Sequence, residues 1–397
     1  MINAAGTVII VLALLVHVQV LFFLAQIFGS LPSVHGTDRT RGGRRPKVSV
    51  IIPAHNESAS IAKTIAAIKP QLTTLDRLVV VADNCSDDTA KIAALEGAEV
   101  IERHDPDRVG KGYALDCGIQ FVGRSGAPEV VIFVDADCEL APGSVDELAT
   151  LSFARDRPVQ ATYTMQAPAP TSKTARIARF AVKVKNYVRP FGASRLGFPC
   201  QLTGTGMAFP WPIIRSVELS TGHITEDLKL GADLAVSGHQ PLFCPDAIVT
   251  SRFPTSIQGN QVQRTRWEHG HLAMIYEYVP YLLWNACKKR RPSLLVVALD
   301  LSIPPLGLFA LIMIALTCGG VLVTLGGFSA WSVVVTGSTL PIFGMAVWLA
   351  WYRHGRKIVS GRDLLSAPLY ALSKIPMLWR FLTKRQVVWI RSERDLN

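Results

Sequence analysis

The sequence predicts an α/β domain with a mostly parallel sheet covered on both faces, joined to α-helical transmembrane segments. Three observations predict it. Short, near-continuous apolar runs alternate with helical periodicity between Val48 and Val134, the pattern of strands buried on both faces. Polar and acidic residues stand at the ends of successive runs, where open sheets bind their ligands. Further stretches are apolar over the roughly 20 residues that a bilayer span needs.

Taken in order, residues 8–28 contain no charged side chain. An uncleaved anchor is expected here rather than a signal peptide, since no Lys or Arg precedes the run and it is long for one. A basic linker with Arg39, Arg41, Arg44, Arg45 and Lys47 follows. Strands are expected at 48–52, 78–82, 99–101 and 130–134, and helices at 58–68, 88–96 and 113–121. A second apolar block, 302–352, is broken by Gly326-Gly327-Phe328-Ser329 and reads as two spans, 302–325 and 330–352. Basic clusters flank the spans at 39–47, 288–291 and 353–357. Under the positive-inside rule all three are cytoplasmic, so the 45–290 region and the tail share the cytosol and the N-terminus lies outside.

The expected organisation is a transmembrane helix over 1–30, a basic linker over 31–46 and a cytosolic domain over 47–271. An amphipathic interfacial helix (272–291), two transmembrane helices (292–327 and 328–353) and an interfacial or cytosolic tail (354–397) follow. The net charge of +11 gathers beside the spans and suits anionic lipid. No basic stripe is interleaved with aromatics, so nucleic acid is not an expected partner. Seven cysteines without a CxxC pair fit reduced thiols in a cytosolic domain, and Cys138 reads as a small buried side chain.

Candidate chemistry gathers at the strand ends. In Ile132-Phe133-Val134-Asp135-Ala136-Asp137-Cys138, strand alternation would point Asp135 and Asp137 to one place. Converging carboxylates are costly without a cation between them: a Mg²⁺ or Mn²⁺ ion, which favours oxygen ligands, or a nearby Lys or Arg. The first strand ends in Pro53-Ala54-His55-Asn56-Glu57 and the second in Asp83. Any one of these is also an ordinary helix cap, but three strand ends behave alike. Arg108-Val109-Gly110-Lys111-Gly112 opens a helix and suits phosphate, although it lacks the spacing of a nucleotide-hydrolysing loop.

Over 48–267 these residues resemble the inverting glycosyltransferases of family 2, with the GT-A fold, and the apolar flanks resemble the membrane-bound branch of that family. "VSVIIPAHNES" resembles the first-strand motif, which implies nucleotide contacts for Pro53, Ala54, His55 and Glu57. Asp83 matches the acidic residue that meets the base or ribose, and Lys111 stands where a basic residue faces the diphosphate. Asp135, Ala136 and Asp137 match the DxD motif, which holds a divalent metal and the donor diphosphate. Thr225-Glu226-Asp227 resembles the TED motif, implying Asp227 as catalytic base beside Glu226. Gln263, Arg266 and Trp267 match QxxRW, and their spacing places them on one helical face. Alone, TED reads as a capped helix start and QxxRW as an amphipathic helix; four motifs in order are more specific. "CQLTGTGMAF" sits where members carry an acceptor-side glycine segment, though a tight turn reads equally well. The helical, basic stretch 173–189 is expected near a membrane surface, and 272–285 as an interfacial helix. His269 and His271 read as surface or hydrogen-bonded residues rather than metal ligands. The segment 364–382 reads as interfacial or re-entrant, and the "RQVVWIRSERD" ending resembles the C-terminus of bacterial members.

The resemblance implies metal-dependent, inverting transfer of a sugar from a nucleoside-diphosphate sugar, with a leaning to uridine. The expected acceptor is a membrane-embedded lipid or lipid-linked saccharide at the cytoplasmic face of a bacterial inner membrane, in exopolysaccharide or glycolipid synthesis. Processive polysaccharide synthases share QxxRW but usually have more spans, since a polar tunnel must be walled off from lipid. A sugar nucleotidyltransferase would carry a Gly-rich N-terminal signature that is missing here. A non-catalytic membrane partner of other polysaccharide-assembly proteins is the remaining alternative, against which the intact motif residues argue.

Overall fold

Val48, Val50 and Ile52 bury on one face of strand β1 (Val48–Ala54) and Ile51 on the other, so this strand needs cover on both sides. The computed structural model describes residues 4–32, 44–124, 126–166, 172–253, 257–327 and 330–383, in two compact units. The larger unit, 34–168 with 199–297 and 386–397, holds the sheet. Its strands are β1, β2 (Arg77–Asp83), β3 (Glu99–Arg103), β4 (Val130–Phe133), β5 (Glu139–Leu140), β6 (Val159–Gln166), β7 (Met207–Pro210) and β8 (Leu242–Arg252), in spatial order β3-β2-β1-β4-β7-β6-β8-β5. Pairing is parallel from β3 through β4 and between β6 and β8. It is antiparallel where β7 meets β4 and β6, and where β5 meets β8. The parallel expectation thus holds for the four strands read from the sequence, and the antiparallel joints come from later strands.

Helix α2 (Ile61–Ile68) lays Ile61, Ile65 and Ile68 on one sheet face, joined by α5 (Ser144–Arg155) through Val145, Leu148 and Ala149. Helix α4 (Lys111–Arg124) covers the other face through Leu115, Ile119 and Val122. Each such burial is worth about 1.5–3 kcal/mol. Helices α3 (Thr89–Leu95), α8 (Trp211–Arg215) and α9 (Glu226–Ser237) complete the layers, and α10 (Ile257–Lys288) and the start of α11 (Ser293–Ser302) also belong to this unit. The boundary expected at 271/272 falls inside α10, which runs unbroken through it. Pro53 lies within β1 rather than ending it. Its register partner is Val81 of β2, while β4 stops opposite Ile51, so the missing N–H interrupts no pairing on that side.

The second unit gathers 1–33, 169–198 and 298–385. It contains α1 (Ala4–Gly29), α6 (Lys173–Lys183), α7 (Arg189–Arg195), α12 (Leu306–Leu325), α13 (Trp331–Ala350), α14 (Gly361–Leu364), α15 (Ala367–Leu372) and α16 (Ile375–Thr383). A π-helical turn, Val184–Val188, joins α6 to α7. Three helices, Gly6–Gly29, Leu306–Leu325 and Trp331–Gly355, are long and apolar enough to cross a membrane. On α1, Ala13, Val16, Val20, Phe23 and Ile27 are buried, while Val8, Val11, Leu15 and Val18 are exposed, the pattern of a helix apolar all round. The second span begins at Leu306 rather than at 302. Pro304 and Pro305 cannot supply the backbone N–H groups that would continue α11. The basic residues at 39–41, the second half of the 326–329 turn and the "RQVVWIRSERD" ending lie outside the described residues.

Glycines let α1 and α7 approach closely. An added Cβ at Gly192 would stand 1.6 Å from the Gln26 carbonyl oxygen, and one at Gly29 would stand 2.5 Å from that of Gly192. Arg189 on α7 bonds Gln26 Oε1 at 2.9 Å and Asp300 Oδ1 at 2.9 Å, and Gln26 donates to the same carboxylate oxygen at 2.5 Å. All three side chains are buried, so the crossing is both tight and polar. Gly192→Ala should force these helices apart and lower Tm in detergent, with a cost of about 1–3 kcal/mol or more. Gly344→Ala, where nothing lies within 4 Å of the added carbon, should leave Tm unchanged or slightly higher.

Candidate active site

The aspartate pair converges through a turn, not through strand alternation as expected. β4 ends at Phe133, and the Cys138 N–H donates to the Asp135 carbonyl at 3.1 Å to close the turn. The Thr64 hydroxyl donates to the Ala136 carbonyl at 2.9 Å, and the Asp135 N–H donates to Thr205 Oγ1 at 3.1 Å. These bonds fix the turn to α2 on one side and to the 201–206 loop on the other. Asp135, Asp137 and Cys138 bring potential ligand atoms within 4.8 Å of one another. Burial, with Asp137 and Asp135 alongside, pushes the Cys138 thiol well above its ordinary range. The two carboxylates are the hard donors of the set. Hard oxygen donors of this kind fit Mg²⁺ or Mn²⁺.

Lys111, the first residue of α4, reaches into this centre. Its ammonium pairs with Asp135, donates to the Gly204 carbonyl at 2.7 Å and lies 3.7 Å from Glu226 Oε1. Burial works against the charge, but Asp135, Glu226 and Asp227 outweigh it and hold Lys111 above the usual lysine range. Burial pushes the Glu226 carboxyl up; Lys111 pulls it back and Asp227 adds to the rise, leaving it above the usual carboxylate range. Gly204 has φ +90°, and an added Cβ would lie 3.4 Å from Asp227 Oδ2 and 3.5 Å from Lys111 Nζ. The positive φ is what calls for glycine here, since an added carbon would make only ordinary contact with these two groups. Gly112 is squeezed too: an added Cβ would meet the Leu219 and Thr221 carbonyl oxygens at 2.4 and 2.6 Å. This second glycine of the GKG loop serves packing.

Two asparagines pin the strand-end loops together. Asn56 and Asn84 have φ +55° and +51°, a conformation asparagine tolerates. Asn56 Oδ1 accepts from the Ser86 N–H at 2.7 Å. Asn84 Oδ1 accepts from the Asp105 N–H at 2.8 Å, and its Nδ2 donates to the Asp105 carbonyl at 3.1 Å. The Asp83 carboxylate, nearly buried, is held by Arg103 Nη1 at 2.5 Å, and His55 Nδ1 lies 2.7 Å from the Asp83 carbonyl oxygen. Arg103 also donates to the Arg108 carbonyl at 2.9 Å, linking Asp83 to the loop before Lys111. Sequence reasoning missed Arg103 because it ended β3 two residues early. The strand register places Asp83 opposite Arg103, so an acid and a base at matching strand ends were the available signal.

These elements wall an open cleft with a volume of about 150 Å³. Pro53, Ala54, His55, Glu57, Asp83, Lys111, Asp135, Ala136, Asp137 and Arg266 all line it, together with Val109, Gly110 and Ala114. Glu226 and Asp227 open α9, with Glu226 Oε1 3.7 Å from the Lys111 ammonium. Of the QxxRW residues, Arg266 lines the cleft. Gln263 is buried, with no hydrogen-bond partner for its Oε1 among the described residues, and Trp267 is half-buried. His269 and His271 are buried rather than on the surface. Helix α10 touches the TED motif directly: an added Cβ at Gly270 would stand 2.3 Å from Thr225 Cγ2.

The family model described as glycosyltransferase like family 2 matches residues 46–270, more than half of the chain. The chain belongs to this family. Among curated proteins, it is 27% identical over 254 residues to the Bacillus subtilis protein named Probable glycosyltransferase YdaM, covering 59% of this chain and 57% of that one. It is 31% identical over 125 residues to the 4,4'-diaponeurosporenoate glycosyltransferase of Staphylococcus haemolyticus, 30% of this chain and 32% of the relative. It is 38% identical over 96 residues to glucosyl-3-phosphoglycerate synthase of Mycobacterium tuberculosis, 23% and 28% of the two chains. The chain thus spans less than three-fifths of each of these curated relatives. Among solved structures, the mannosyltransferase PcManGT of Pyrobaculum calidifontis, in complex with GDP-Man and Mn²⁺, matches with a TM-score of 0.54 at 16% identity. The match covers 97% of this chain and all of that one, a likeness of fold. The GT-A architecture implied by the motifs is confirmed at that level.

In this family 2 chain, Arg103→Met strips the Asp83 carboxylate of its cation in a buried position. Removing one partner of such a pair costs about 3–5 kcal/mol, so thermal unfolding should shift down and nucleotide affinity should fall at least tenfold. Gly270→Ala should push Thr225 and the start of α9 aside. Turnover should then fall tenfold or more while donor Kd, measured calorimetrically, changes less than threefold.

Proposed function

We propose that this chain is an inverting glycosyltransferase that moves a sugar from a nucleoside-diphosphate sugar to an acceptor hydroxyl, with a divalent cation at Asp135 and Asp137. The observation that carries this reading is the convergence of the DxD turn and the TED helix start on Lys111, which meets Asp135 and Glu226. The family relation supports the reaction class, and the fold likeness to a mannosyltransferase solved with GDP-Man and Mn²⁺ supports the donor and cation classes. When bound, the cation would stabilise negative charge developing on the leaving diphosphate.

The chain's own residues do the remainder. His55, Glu57 and the Asp83 edge would receive the nucleoside, with Arg103 holding Asp83 in place. Lys111 and Arg266 would meet the diphosphate as cations. Asp227, at the rim beside Gly204, would accept the proton from the acceptor hydroxyl as that oxygen attacks the anomeric carbon. Attack and departure on opposite faces invert the configuration in one step, and no protein nucleophile is needed. Gln263 and Trp267, on the helix that carries Arg266, would bound the acceptor side.

The three apolar helices support a membrane-borne acceptor, a lipid or lipid-linked saccharide, taken by a multi-pass protein of a bacterial inner membrane. Basic clusters at 288–291 and 353–357 support a cytoplasmic catalytic unit. Exopolysaccharide or glycolipid assembly is the matching process class.

Detergent-purified protein should release nucleoside diphosphate from one donor of a panel headed by UDP-sugars, in the presence of Mn²⁺ or Mg²⁺ and not after EDTA, and extracted lipids should raise the rate. Asp227→Asn should bind donor within about threefold of wild type and turn over at least 10²-fold more slowly, the lower range for loss of general-base help. Asp137→Ala should lose cation-dependent donor binding itself. Equal loss of donor binding in both variants would overturn the division of roles.

A further inference from the structure

Lys111 is placed unlike a residue waiting only for phosphate. Its ammonium lies against Asp135, is anchored by the Gly204 carbonyl and is flanked by Glu226. Asp135 remains about one-third exposed, and both residues line the cleft with Asp137. A carboxylate oxygen that carries an ammonium cannot at the same time give its full charge to a divalent ion, and two cations that close repel. The Lys111 stem is long, and three rotatable donors let its head change partners without moving the backbone of α4.

We propose that Lys111 is an exchangeable counter-ion of the aspartate pair: its ammonium and a divalent cation compete for Asp135, and a nucleoside diphosphate, by taking the ammonium onto its phosphates, frees that carboxylate for the metal. The inference rests on the reading of Asp135 and Asp137 as the cation site. It makes the cation and the nucleotide each other's activators, since whatever draws Lys111 away raises affinity for the other ligand, reciprocally. The site then holds a metal tightly only when there is a diphosphate to use it.

Two measurements test this without turnover. Mn²⁺ titrated into the full-length protein without nucleotide, followed by electron paramagnetic resonance, should bind Lys111→Met at least tenfold more tightly than wild type. Lys111→Arg, which keeps the charge, should stay within about threefold of wild type, and Asp137→Ala should bind weakly. The second measurement uses only wild-type protein and so does not depend on a variant folding: labelling of Lys111 by an amine-reactive reagent, read by mass spectrometry. Labelling should accelerate severalfold when Mn²⁺ is added and slow again when UDP follows. Unchanged Mn²⁺ affinity in Lys111→Met together with unchanged labelling, while Asp137→Ala still abolishes binding, would overturn the exchange and leave the cation site standing. Equal Mn²⁺ binding by wild type and Asp137→Ala would instead overturn the cation site and the exchange with it.

Discussion

The ammonium of Lys111 ties three separate parts of the chain into one centre. It meets the turn after β4 through Asp135, the 201–206 loop through the Gly204 carbonyl and the start of α9 through Glu226. Burying an ion costs several kcal/mol. Opposite charges about 4 Å apart return on the order of 4 kcal/mol each at an effective dielectric of 20. One carboxylate would barely offset the cost, whereas three nearby carboxylates outweigh it, which is why the charge is retained and even favoured. Gly112 follows from this arrangement, because the first turn of the lysine's helix packs against the Leu219 and Thr221 carbonyls, while Gly204 supplies the positive φ of the loop that accepts from the lysine.

The first four strands were legible because parallel strands buried on both faces leave unbroken apolar runs. The later strands were not. β7, Met207–Pro210, is four residues inside a Gly-rich loop, and β8 mixes apolar and polar residues from Leu242 to Arg252. Their partners are set by tertiary pairing, which leaves no periodic trace. Ten candidate residues were found at one cleft because strand ends and loop motifs can be read locally. Arg103 escaped because its role is defined by the neighbouring strand, and the asparagine pegs because an ordinary-looking Asn declares its function only through a positive φ. The pairing of Asp135 and Asp137 was anticipated for the wrong geometric reason. Two carboxylates one residue apart converge in a tight turn as readily as along a strand.

The apolar unit hides a similar lesson. Gln26, Arg189 and Asp300 lie far apart in the chain, the first among the few polar side chains of an otherwise apolar run. In the structure they satisfy one another. In a low-dielectric surrounding an isolated member would be costly, so each explains the other two. The glycines at 29 and 192 bring the backbones close enough for these bonds to form. Residues 169–198 interrupt the family 2 region in sequence yet belong to the apolar unit. The family match, like the linear reading, runs straight through them.

Charge balance bears on how an anionic donor enters such a site. Asp135 and Asp137 line the cleft with Lys111 and Arg266, and Glu226 and Asp227 also act on Lys111, so carboxylates outnumber cations. The upward shift of Glu226 is the local sign of that surplus, a carboxyl held towards its neutral form by burial and its acidic neighbours. A diphosphate brings still more negative charge, and Lys111 is already committed to carboxylates. On the proposed reading, donor and divalent cation would settle the balance together, the ion on the aspartates and the lysine on the phosphates. An acidic centre with the proposed exchangeable ammonium is thus compatible with binding an anion, and it would make nucleotide binding depend on the metal more steeply than a preformed basic pocket would.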